Sequence, residues 1–284
     1  MKTRRQKIGM TVLAGLFLLL TPKLYASEAV NPVRDNDRLA NKNGNITALS
    51  DSMDSNNLQE SPAISNGVKV AILDSGSNGA YQEGISLVDN TIKDNNGHGT
   101  LIASIIKETC PNAELYIVKV IGQDGLVINE DAVILGLEWA ISKDVKVINM
   151  SLRVKPSQKL HEAIKKAYDK GIILVAAAGN NDKFSASYYS VLDAKTSVDS
   201  SLSSKEVSYP AKYPEVIAVG ALDQYGKVYN ESAQSADIDL YFRGYHDNKA
   251  GTSIASAYVT GTVAKVISEN SKANPDEIKK IILK

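Results

Sequence analysis

The segment VKVAILD, residues Val68 to Asp74, decides the fold that the sequence predicts. It is a short apolar run with β-branched residues, and it ends in a carboxylate. Runs of this kind are typical of strands that are buried on both faces of a sheet. Four more follow along the chain: AELYIVKVI (Ala113 to Ile121), VKVINMS (Val145 to Ser151), GIILVAAAGN (Gly171 to Asn180) and EVIAVGAL (Glu215 to Leu222).

Helical patterns lie between these runs. One begins at His98 with HGTLIASIIKE, a second is NEDAVILGLEWAISK (Asn129 to Lys143), and a third is SQKLHEAIKKAYDKG (Ser157 to Gly171). The third has a serine at its start and Lys-Gly at its end, which are helix start and stop signals. Alternating strands and helices predict an α/β fold: a doubly wound, mostly parallel sheet with helices on both faces.

A later segment, AGTSIASAYVTGTVA from Ala250 to Ala264, consists almost entirely of small residues around Ser253. It is either a helix packed closely against a neighbour, or a segment whose serine must be approached by another group. In open parallel sheets, ligands bind beyond the carboxyl ends of the strands. The residues that follow the predicted strands, Asp74, Ser151 and Asn180, are therefore candidates for a site.

Composition narrows the class of protein. The chain is 43% hydrophobic and 23% charged, with 32 basic and 32 acidic residues, which is typical of a globular protein with a mixed, solvated surface. A nucleic-acid partner would need a basic face or stripe, and a formal net charge of zero gives no sign of one.

The N-terminus has the pattern of a signal peptide. Four of the seven residues in MKTRRQK are basic, and the apolar run from Ile8 to Leu20 is shorter than the roughly 20 residues of a membrane-spanning helix. Cleavage after Ala26 would release a secreted or cell-surface protein without a stable membrane span. Lys23, between the apolar run and this position, leaves an uncleaved N-terminal membrane anchor as the alternative.

The remaining chain divides into two parts. Residues 27–66 are rich in Asn, Ser and Asp and lack apolar periodicity, so they are interpreted as a polar pro-segment or linker. Residues 67–284 form the predicted domain. The single cysteine, Cys110, cannot form an internal disulfide and is predicted to be a small buried side chain.

Four residues along the domain supply the parts of a serine acyl-transfer site. Asp74 follows the first strand, His98 stands between two glycines, Asn180 follows a strand, and Ser253 begins the small-residue segment. Serine needs a base to remove its proton, an acid orients that base, and amide donors stabilise the oxyanion. The other histidines lie in a charged helical stretch and a polar loop, which leaves His98 as the base.

Each of these features is weak alone, because Asp, Gly-His-Gly and Ser are common in turns and caps. In combination, VAILDSG, NNGHGT, VINMSL, VAAAGN, YPAKYPEVIAVGAL and GTSIAS resemble the signature segments of the subtilases, the subtilisin-like serine peptidases. The resemblance runs from Val68 to about Ile282. It implies a triad of Asp74, His98 and Ser253, Asn180 as an oxyanion donor, and a cis peptide bond before Pro210.

The resemblance also implies a substrate cleft, to which we assign Ser151, Leu152, Arg153, Gly179 and Ser208. Arg153 stands where the family usually has glycine. Its guanidinium could narrow the pocket for the residue before the scissile bond, or attract acidic substrate side chains, or extend into solvent. Residues 181–208 are either a flap that grips substrate or a mobile surface loop.

Other departures from the family pattern indicate a trimmed catalytic domain. Leu101 replaces a histidine, and Ala257-Tyr258 replaces Pro-His after the serine motif. Only KETCPN separates the His98 helix from the next strand, so the calcium-binding loop of many subtilisins is expected to be absent. We expect no metal and no cofactor, apart from a weaker calcium site as an open alternative.

The sequence thus predicts a monomeric serine endopeptidase that acts on polypeptides. Its size and trimming are similar to those of lantibiotic leader peptidases, which favours a processing peptidase acting on a precursor peptide. The alternatives are a general degradative protease and a catalytically silent peptide-binding module on the same fold.

Overall fold

The apolar run that begins at Val68 forms a strand in the middle of a mixed sheet. The structure, a computed structural model, describes residues 38–40, 46–48, 67–180, 205–270 and 274–283. The predicted signal peptide, most of residues 27–66 and most of the 181–208 segment lie outside these ranges, so the predictions made for them stay predictions.

Seven parallel strands and two antiparallel ones make up the sheet within the described ranges, in the order β2-β1-β9-β8-β7-β6-β3-β5-β4. The strands are β1 (Arg38–Ala40), β2 (Ile46–Ala48), β3 (Lys69–Asp74), β4 (Glu83–Ser86), β5 (Glu114–Lys119), β6 (Val147–Met150), β7 (Ile173–Ala177), β8 (Val216–Leu222) and β9 (Leu240–Arg243). A separate hairpin pairs β10 (Tyr245–His246) with β11 (Lys249–Ala250). The parallel α/β fold is confirmed, and the five predicted strands are β3, β5, β6, β7 and β8.

Helices lie on both faces of the sheet, also as predicted. They are α1 (His98–Thr109), α2 (Glu130–Ser142), α3 (Gln158–Asp169), α4 (Thr252–Glu269) and α5 (Pro275–Ile282). The cap of α3 is the serine that the sequence predicts, and α2 is capped by an asparagine that was not predicted as a cap. Asn129 accepts a hydrogen bond from the Ala132 N–H at 2.8 Å, and Ser157 accepts one from the Leu160 N–H at 3.1 Å.

Strand β3 explains why its residues are apolar without interruption. Val70 and Ile72 pack with α1 and α4 on one face, whereas Ala71 and Leu73 pack with α2 and α3 on the other. All four are fully buried. A strand covered by helices on both faces loses the apolar–polar alternation of a half-exposed strand.

The small residues of α4 allow close contact between helices. A Cβ atom added at Gly261 would lie 2.5 Å from the Thr109 Cβ at the end of α1, closer than real Cβ atoms approach. The glycine therefore permits α4 to pack directly on α1, while α4 also covers the sheet. This is the first of the two interpretations that the sequence left open for this segment.

Two short strands in the polar segment were not expected. Strand β1 pairs antiparallel with β2, and Ala40 pairs with Tyr241 of β9. The segment 27–66 therefore contributes to the edge of the sheet, although it lacks the apolar periodicity of a strand. Within the described ranges, no helix combines the length and apolar character needed to cross a membrane.

Candidate active site

The carboxyl ends of the central strands and the N-termini of two helices meet at one edge of the sheet. Asp74 is the last residue of β3, Ser151 directly follows β6, and Asn180 follows β7. His98 is the first residue of α1, and Ser253 is the second residue of α4. The parallel arrangement thus brings together residues that are up to 179 positions apart in sequence.

A carboxylate and an imidazole form the first contact of the site. The His98 Nδ1 atom lies 2.8 Å from Oδ1 and 3.0 Å from Oδ2 of Asp74. Asp74 is completely buried, and the Ser75 N–H donates to its Oδ1 at 2.7 Å. The His98 side chain is 33% exposed, so its other face is open to solvent. This geometry places the Nδ1 proton toward Asp74 and leaves Nε2 as the reactive nitrogen.

A glycine makes that contact possible. A Cβ atom added at Gly99 would lie 2.3 Å from the Gly76 carbonyl oxygen and 3.2 Å from the Asp74 Cβ. Any side chain here would therefore push α1 away from the end of β3. The second glycine of the Gly-His-Gly motif is therefore required for packing.

Asp94 is a second buried carboxylate, and the sequence analysis did not identify it. Its side chain accepts hydrogen bonds from the N–H and hydroxyl of Thr100 at 2.8 and 2.6 Å, from the Gly97 N–H at 2.7 Å, and from the Asn96 N–H at 3.0 Å. The Ser75 hydroxyl lies 3.0 Å from Asp94 Oδ1 and 3.2 Å from Asp74 Oδ1. Asp94 therefore braces the loop that presents His98.

Burial of Asp94 acts to raise its pKa, but the hydrogen bonds from Thr100, Gly97 and Ser75 outweigh it, and the pKa lies below its ordinary value. The charged form is therefore the one that this loop binds. The sequence contains a weak signal for this role, since an aspartate followed by two asparagines and a glycine is typical of a side chain that caps a turn.

The pKa of His98 is set by opposing effects. Burial disfavours the charged imidazolium, but the charge and hydrogen bond of Asp74 favour it, with a further contribution from the charge of Asp94 and an opposing one from Lys249. The net effect raises the pKa of His98 above the ordinary value of 6.5. The site thus stabilises the proton that His98 would hold during a reaction.

The Asn180 side chain is held in one orientation by Thr252. Its Oδ1 accepts hydrogen bonds from the Thr252 N–H at 2.9 Å and from the Thr252 hydroxyl at 3.0 Å. That hydroxyl in turn accepts from the Gly179 N–H at 3.2 Å. Because the amide oxygen has two donors, the amide orientation is settled and Nδ2 is the group that can donate to a ligand.

A second glycine protects this arrangement. Gly251 has φ 152°, in the region that favours glycine, and an added Cβ would lie 2.9 Å from Asn180 Nδ2. The Ser253 backbone N–H belongs to the first turn of α4, where amide groups have no partner within the helix. Asn180 Nδ2 and this N–H are therefore two donors at one place.

The start of α4 is fixed from beneath by hydroxyl groups. Ser151 donates to the Ser253 carbonyl oxygen at 3.1 Å and lies 2.8 Å from the Ser256 hydroxyl. The Asn149 side chain donates to Ser151 at 3.0 Å and accepts from Thr260 at 2.9 Å. The Ser151 side chain is therefore part of a buried network that holds the start of α4, and Ser151 also lines the cleft to which the sequence analysis assigns it.

Arg153 lies across the cleft rather than extending into solvent. Its Nη2 donates to the Asn180 carbonyl oxygen at 3.1 Å. The Ser208 hydroxyl, which also lies next to Gly179, donates to the Ala178 carbonyl oxygen at 3.1 Å. Of the alternatives for Arg153, the structure shows the one in which the side chain forms part of the wall.

One cleft of about 350 Å³ contains most of these groups. His98, Ser253 and Asn180 line it, together with the other residues assigned to the substrate cleft. Its walls are formed by Asn96, His98, Ile121, Asp124, Gly125, Leu126, Val127, Ser151, Leu152, Arg153, Ala177, Gly179, Asn180, Ser208, Thr252 and Ser253. The wall from Asp124 to Val127 was not identified from the sequence, because it is a short loop without a motif.

The unusual residue after the serine motif has its own partners. Tyr258 is buried, its hydroxyl lies 2.9 Å from His246 Nδ1, and the Arg243 guanidinium lies over its ring at 4.7 Å. Tyr258 thus connects α4 to the β10–β11 hairpin. The Tyr209-Pro210 bond is cis, as the resemblance implies, and Cys110 is buried with a free thiol whose pKa is raised by burial.

The two other histidines are engaged elsewhere. His161 contacts Glu215 at 3.1 Å and stacks on the Tyr213 ring at a centroid distance of 4.5 Å. His246 contacts Tyr258. Neither lines the cleft, which agrees with the choice of His98 as the base.

Comparison with known proteins identifies the family of this chain. The family model described as "Peptidase_S8: Subtilase family" matches residues 65–284. The chain is 32% identical over 239 residues to subtilisin DY of Bacillus licheniformis, an alignment that covers 75% of this chain and 81% of that protein. It is 33% identical over 236 residues to subtilisin E of Bacillus subtilis (strain 168), covering 72% of this chain.

Similar solved structures support the same family. The crystal structure of a cold adapted subtilisin-like serine proteinase superposes with a TM-score of 0.59 at 25% identity, covering 76% of this chain and 80% of that one. The chain spans only 56% of the length of subtilisin E and 55% of an alkaline protease from Alkalihalobacillus alcalophilus.

Proposed function

Since this chain belongs to the subtilase family of serine endopeptidases, we propose that it hydrolyses peptide bonds through an acyl-enzyme formed on Ser253. The observation that carries this proposal is the contact of both Asp74 carboxylate oxygens with His98 Nδ1, in a cleft that His98 shares with Ser253. Each residue has a role that follows from its position.

In the first half of the reaction, His98 Nε2 takes the proton of the Ser253 hydroxyl while Oγ bonds to the scissile carbonyl carbon. Asn180 Nδ2 and the Ser253 N–H donate to the resulting oxyanion. The C–N bond then breaks, and the amine leaves with the proton from His98. Asp74 holds the imidazole and stabilises its charged form.

In the second half, water takes the place of the amine. His98 removes a proton from it, the oxygen bonds to the acyl carbon, and the bond to Ser253 Oγ breaks as His98 returns the proton. The proposed reaction uses only groups of the protein and needs no metal or cofactor. Four residues, 110–113, connect α1 to β5, and the expectation that this connection holds no calcium loop stays a prediction.

A fluorophosphonate probe tests the proposal, because such probes react with activated serines and not with ordinary hydroxyl groups. We expect the folded, mature protein to be labelled at Ser253, as located by peptide mass spectrometry. A protein that is folded by circular dichroism but not labelled would instead be a peptide-binding module without activity.

The raised pKa of His98 predicts the pH dependence of activity. The proposed base must be neutral, so kcat/KM should rise with pH and reach half of its plateau at a pH above 6.5. The sign follows because a raised pKa keeps the imidazole protonated, and therefore inactive, to a higher pH. The measurement is kcat/KM for one peptide from pH 5 to pH 9, and a midpoint below 6.5 would contradict the prediction.

Replacing Asn180 by Ala should lower kcat about 10²- to 10³-fold with little change in KM, a magnitude measured for the corresponding amide in subtilisin rather than derived from this geometry. The reason is that Nδ2 would donate to the oxyanion and not to the ground-state carbonyl. Asn112→Ala removes an exposed amide outside the cleft and serves as the control. Wild-type turnover in Asn180→Ala would remove this side chain from the site.

We also propose a processing role, in which the enzyme cuts one site in a precursor peptide, as leader peptidases do. The Arg153 side chain in the cleft supports a narrow range of substrates. Digestion of a diverse peptide mixture, followed by mapping of the cut sites, separates this role from degradation. Cutting after one motif supports processing, whereas cutting at many unrelated sites supports a degradative protease.

The site of action that we propose is outside the cytoplasm, with the enzyme secreted or held at the cell surface as a monomer. The basic and apolar N-terminal residues support export. One similar protein, 29% identical over 223 residues, is the minor extracellular protease Epr of Bacillus subtilis (strain 168). N-terminal sequencing of the mature protein and its recovery from medium or membrane would distinguish release after Ala26 from a retained anchor.

A further inference from the structure

The cleft wall next to Asn180 carries a positive charge that is not used in the proposed reaction. Arg153 belongs to the extended segment after β6, and its guanidinium reaches over to the segment after β7, where it contacts the Asn180 carbonyl oxygen. The side chain is only partly exposed. It therefore forms a fixed part of the wall and not a surface charge that moves freely.

Arg153 and Ser208 converge on the same point. A Cβ atom added at Gly179 would lie 2.9 Å from the Ser208 hydroxyl and 3.0 Å from Arg153 Nη2. Gly179 has φ 113°, which also excludes most side chains. Two polar groups therefore fill the space directly above this glycine, and all three residues form one wall of the cleft.

Most N–H donors of the Arg153 guanidinium have no acceptor among the described residues. Arginine carries five N–H groups, and among the described residues only the Asn180 carbonyl accepts from Arg153. No carboxylate of the described residues lies within 4.0 Å of the guanidinium, so none neutralises it by direct contact. A planar guanidinium binds carboxylates through two parallel hydrogen bonds.

The position of this wall decides which substrate residue it meets. Asn180 Nδ2 and the Ser253 N–H would hold the oxygen of the scissile carbonyl, as proposed above. The residue that supplies this carbonyl has its side chain on the same Cα–C unit, so that side chain enters the nearest recess. That recess lies between Arg153, Gly179 and Ser208.

We propose that this recess selects an acidic side chain, glutamate or aspartate, at the substrate residue immediately before the scissile bond. Arg153 would bind the carboxylate, whereas the Ser208 hydroxyl, whose proton is donated to the Ala178 carbonyl oxygen, only lines the recess. Asp124 lines the same cleft with a negative charge, but it is exposed and therefore screened by solvent. The inference rests on the proposed peptidase function and adds the substrate class to it.

The alternative is that Arg153 only ties the two strand ends together through the Asn180 carbonyl. The two roles differ in what they change. Loss of a purely structural contact would lower kcat/KM for all substrates to a similar extent. Loss of a group that binds the substrate carboxylate would change the ratio of kcat/KM between acidic and neutral substrates.

The test uses the mature enzyme and fluorogenic peptides that are identical except for Glu, Gln, Leu or Lys before the scissile bond. We expect wild-type kcat/KM for Glu to exceed that for Gln about 10- to 100-fold, the range for a charge-assisted hydrogen bond. Arg153→Gln, which keeps a donor for the Asn180 carbonyl, should reduce the Glu:Gln ratio to near 1. Arg153→Lys should retain part of the preference.

Lys165→Gln is the matched control, since it removes one positive charge from the exposed face of α3. It should leave the Glu:Gln ratio unchanged. Asp124→Asn should raise the ratio slightly if the cleft acts by charge.

The results can separate failure of the acidic preference from failure of the peptidase function. If Ser253 reacts with a fluorophosphonate and peptides are cut, but wild-type enzyme treats Glu and Gln alike, the acidic preference is wrong and the peptidase function stands. The same conclusion follows if Arg153→Gln keeps the preference. If Ser253 is not labelled and no peptide is cut, both proposals fail.

Discussion

Ser253→Ala is expected to lower kcat about 10⁶-fold, the size of loss measured for the nucleophile of subtilisin rather than one derived from this structure. Without the Oγ atom no acyl-enzyme forms, and His98 has no hydroxyl to deprotonate. The variant should fold normally, because the contacts that fix the start of α4 involve the Ser253 carbonyl oxygen and not its side chain. Steady-state hydrolysis of a peptide substrate, with circular dichroism as the test of folding, measures both effects.

Ser104→Ala is the control for this variant. Ser104 is exposed on α1, and its hydroxyl donates to the Leu101 carbonyl oxygen of the same helix. Loss of the Ser104 hydroxyl should leave kcat within about twofold of wild type. The variant should stay folded, because surface substitutions rarely change the free energy of unfolding by more than about 0.5 kcal/mol. If Ser253→Ala kept even a hundredth of the wild-type rate, another residue would have to be the nucleophile.

Asp74→Asn is expected to lower kcat about 10⁴-fold, which is the loss found for the equivalent change in other serine peptidases. Both oxygens of Asp74 contact His98 Nδ1, so an amide would present an N–H group where the imidazole also carries its proton. The imidazole would then place its proton on Nε2, toward Ser253, and cannot act as a base.

The pH profile distinguishes this mechanism from a general loss of structure. Because the negative charge of Asp74 helps to raise the pKa of His98, the acid limb of the residual activity should move to lower pH in Asp74→Asn. Asp144→Asn, at an exposed turn with φ 54°, is the control and should match wild type in rate and profile. A less than tenfold loss in Asp74→Asn would contradict the assigned role.

The central strands could be predicted from the sequence, whereas the strands toward the edges of the sheet could not. Strands β3 and β5 to β8 are buried on both faces, and that burial requires an apolar run that can be recognised without a structure. Strand β4 is an edge strand of partly exposed residues, EGIS, and β9 alternates buried with half-buried residues. Such strands depend on pairing with a neighbour, so their local sequence carries little signal.

The candidate site also has features that the sequence indicates and features that only the structure reveals. Asp74, His98, Asn180 and Ser253 stand out in the sequence because each follows a strand or begins a helix within a glycine-containing motif. Parallel topology then requires those ends to meet at one edge. Residue types and element order therefore pointed to these four residues as candidates, the resemblance to the subtilases added their roles, and those roles stay predictions.

What only the tertiary structure decided is the contact between residues far apart in sequence. Thr252 holds the Asn180 amide from 72 positions away, Ser151 supports Ser253 from 102 positions away, and Arg153 turns toward Asn180 and not into solvent. A long flexible side chain has many rotamers of similar energy, and the neighbours that the fold places around it select one. The proposed chemistry of the cleft therefore rests on short local motifs, whereas its proposed selectivity rests on the packing of β6, β7 and α4 around it.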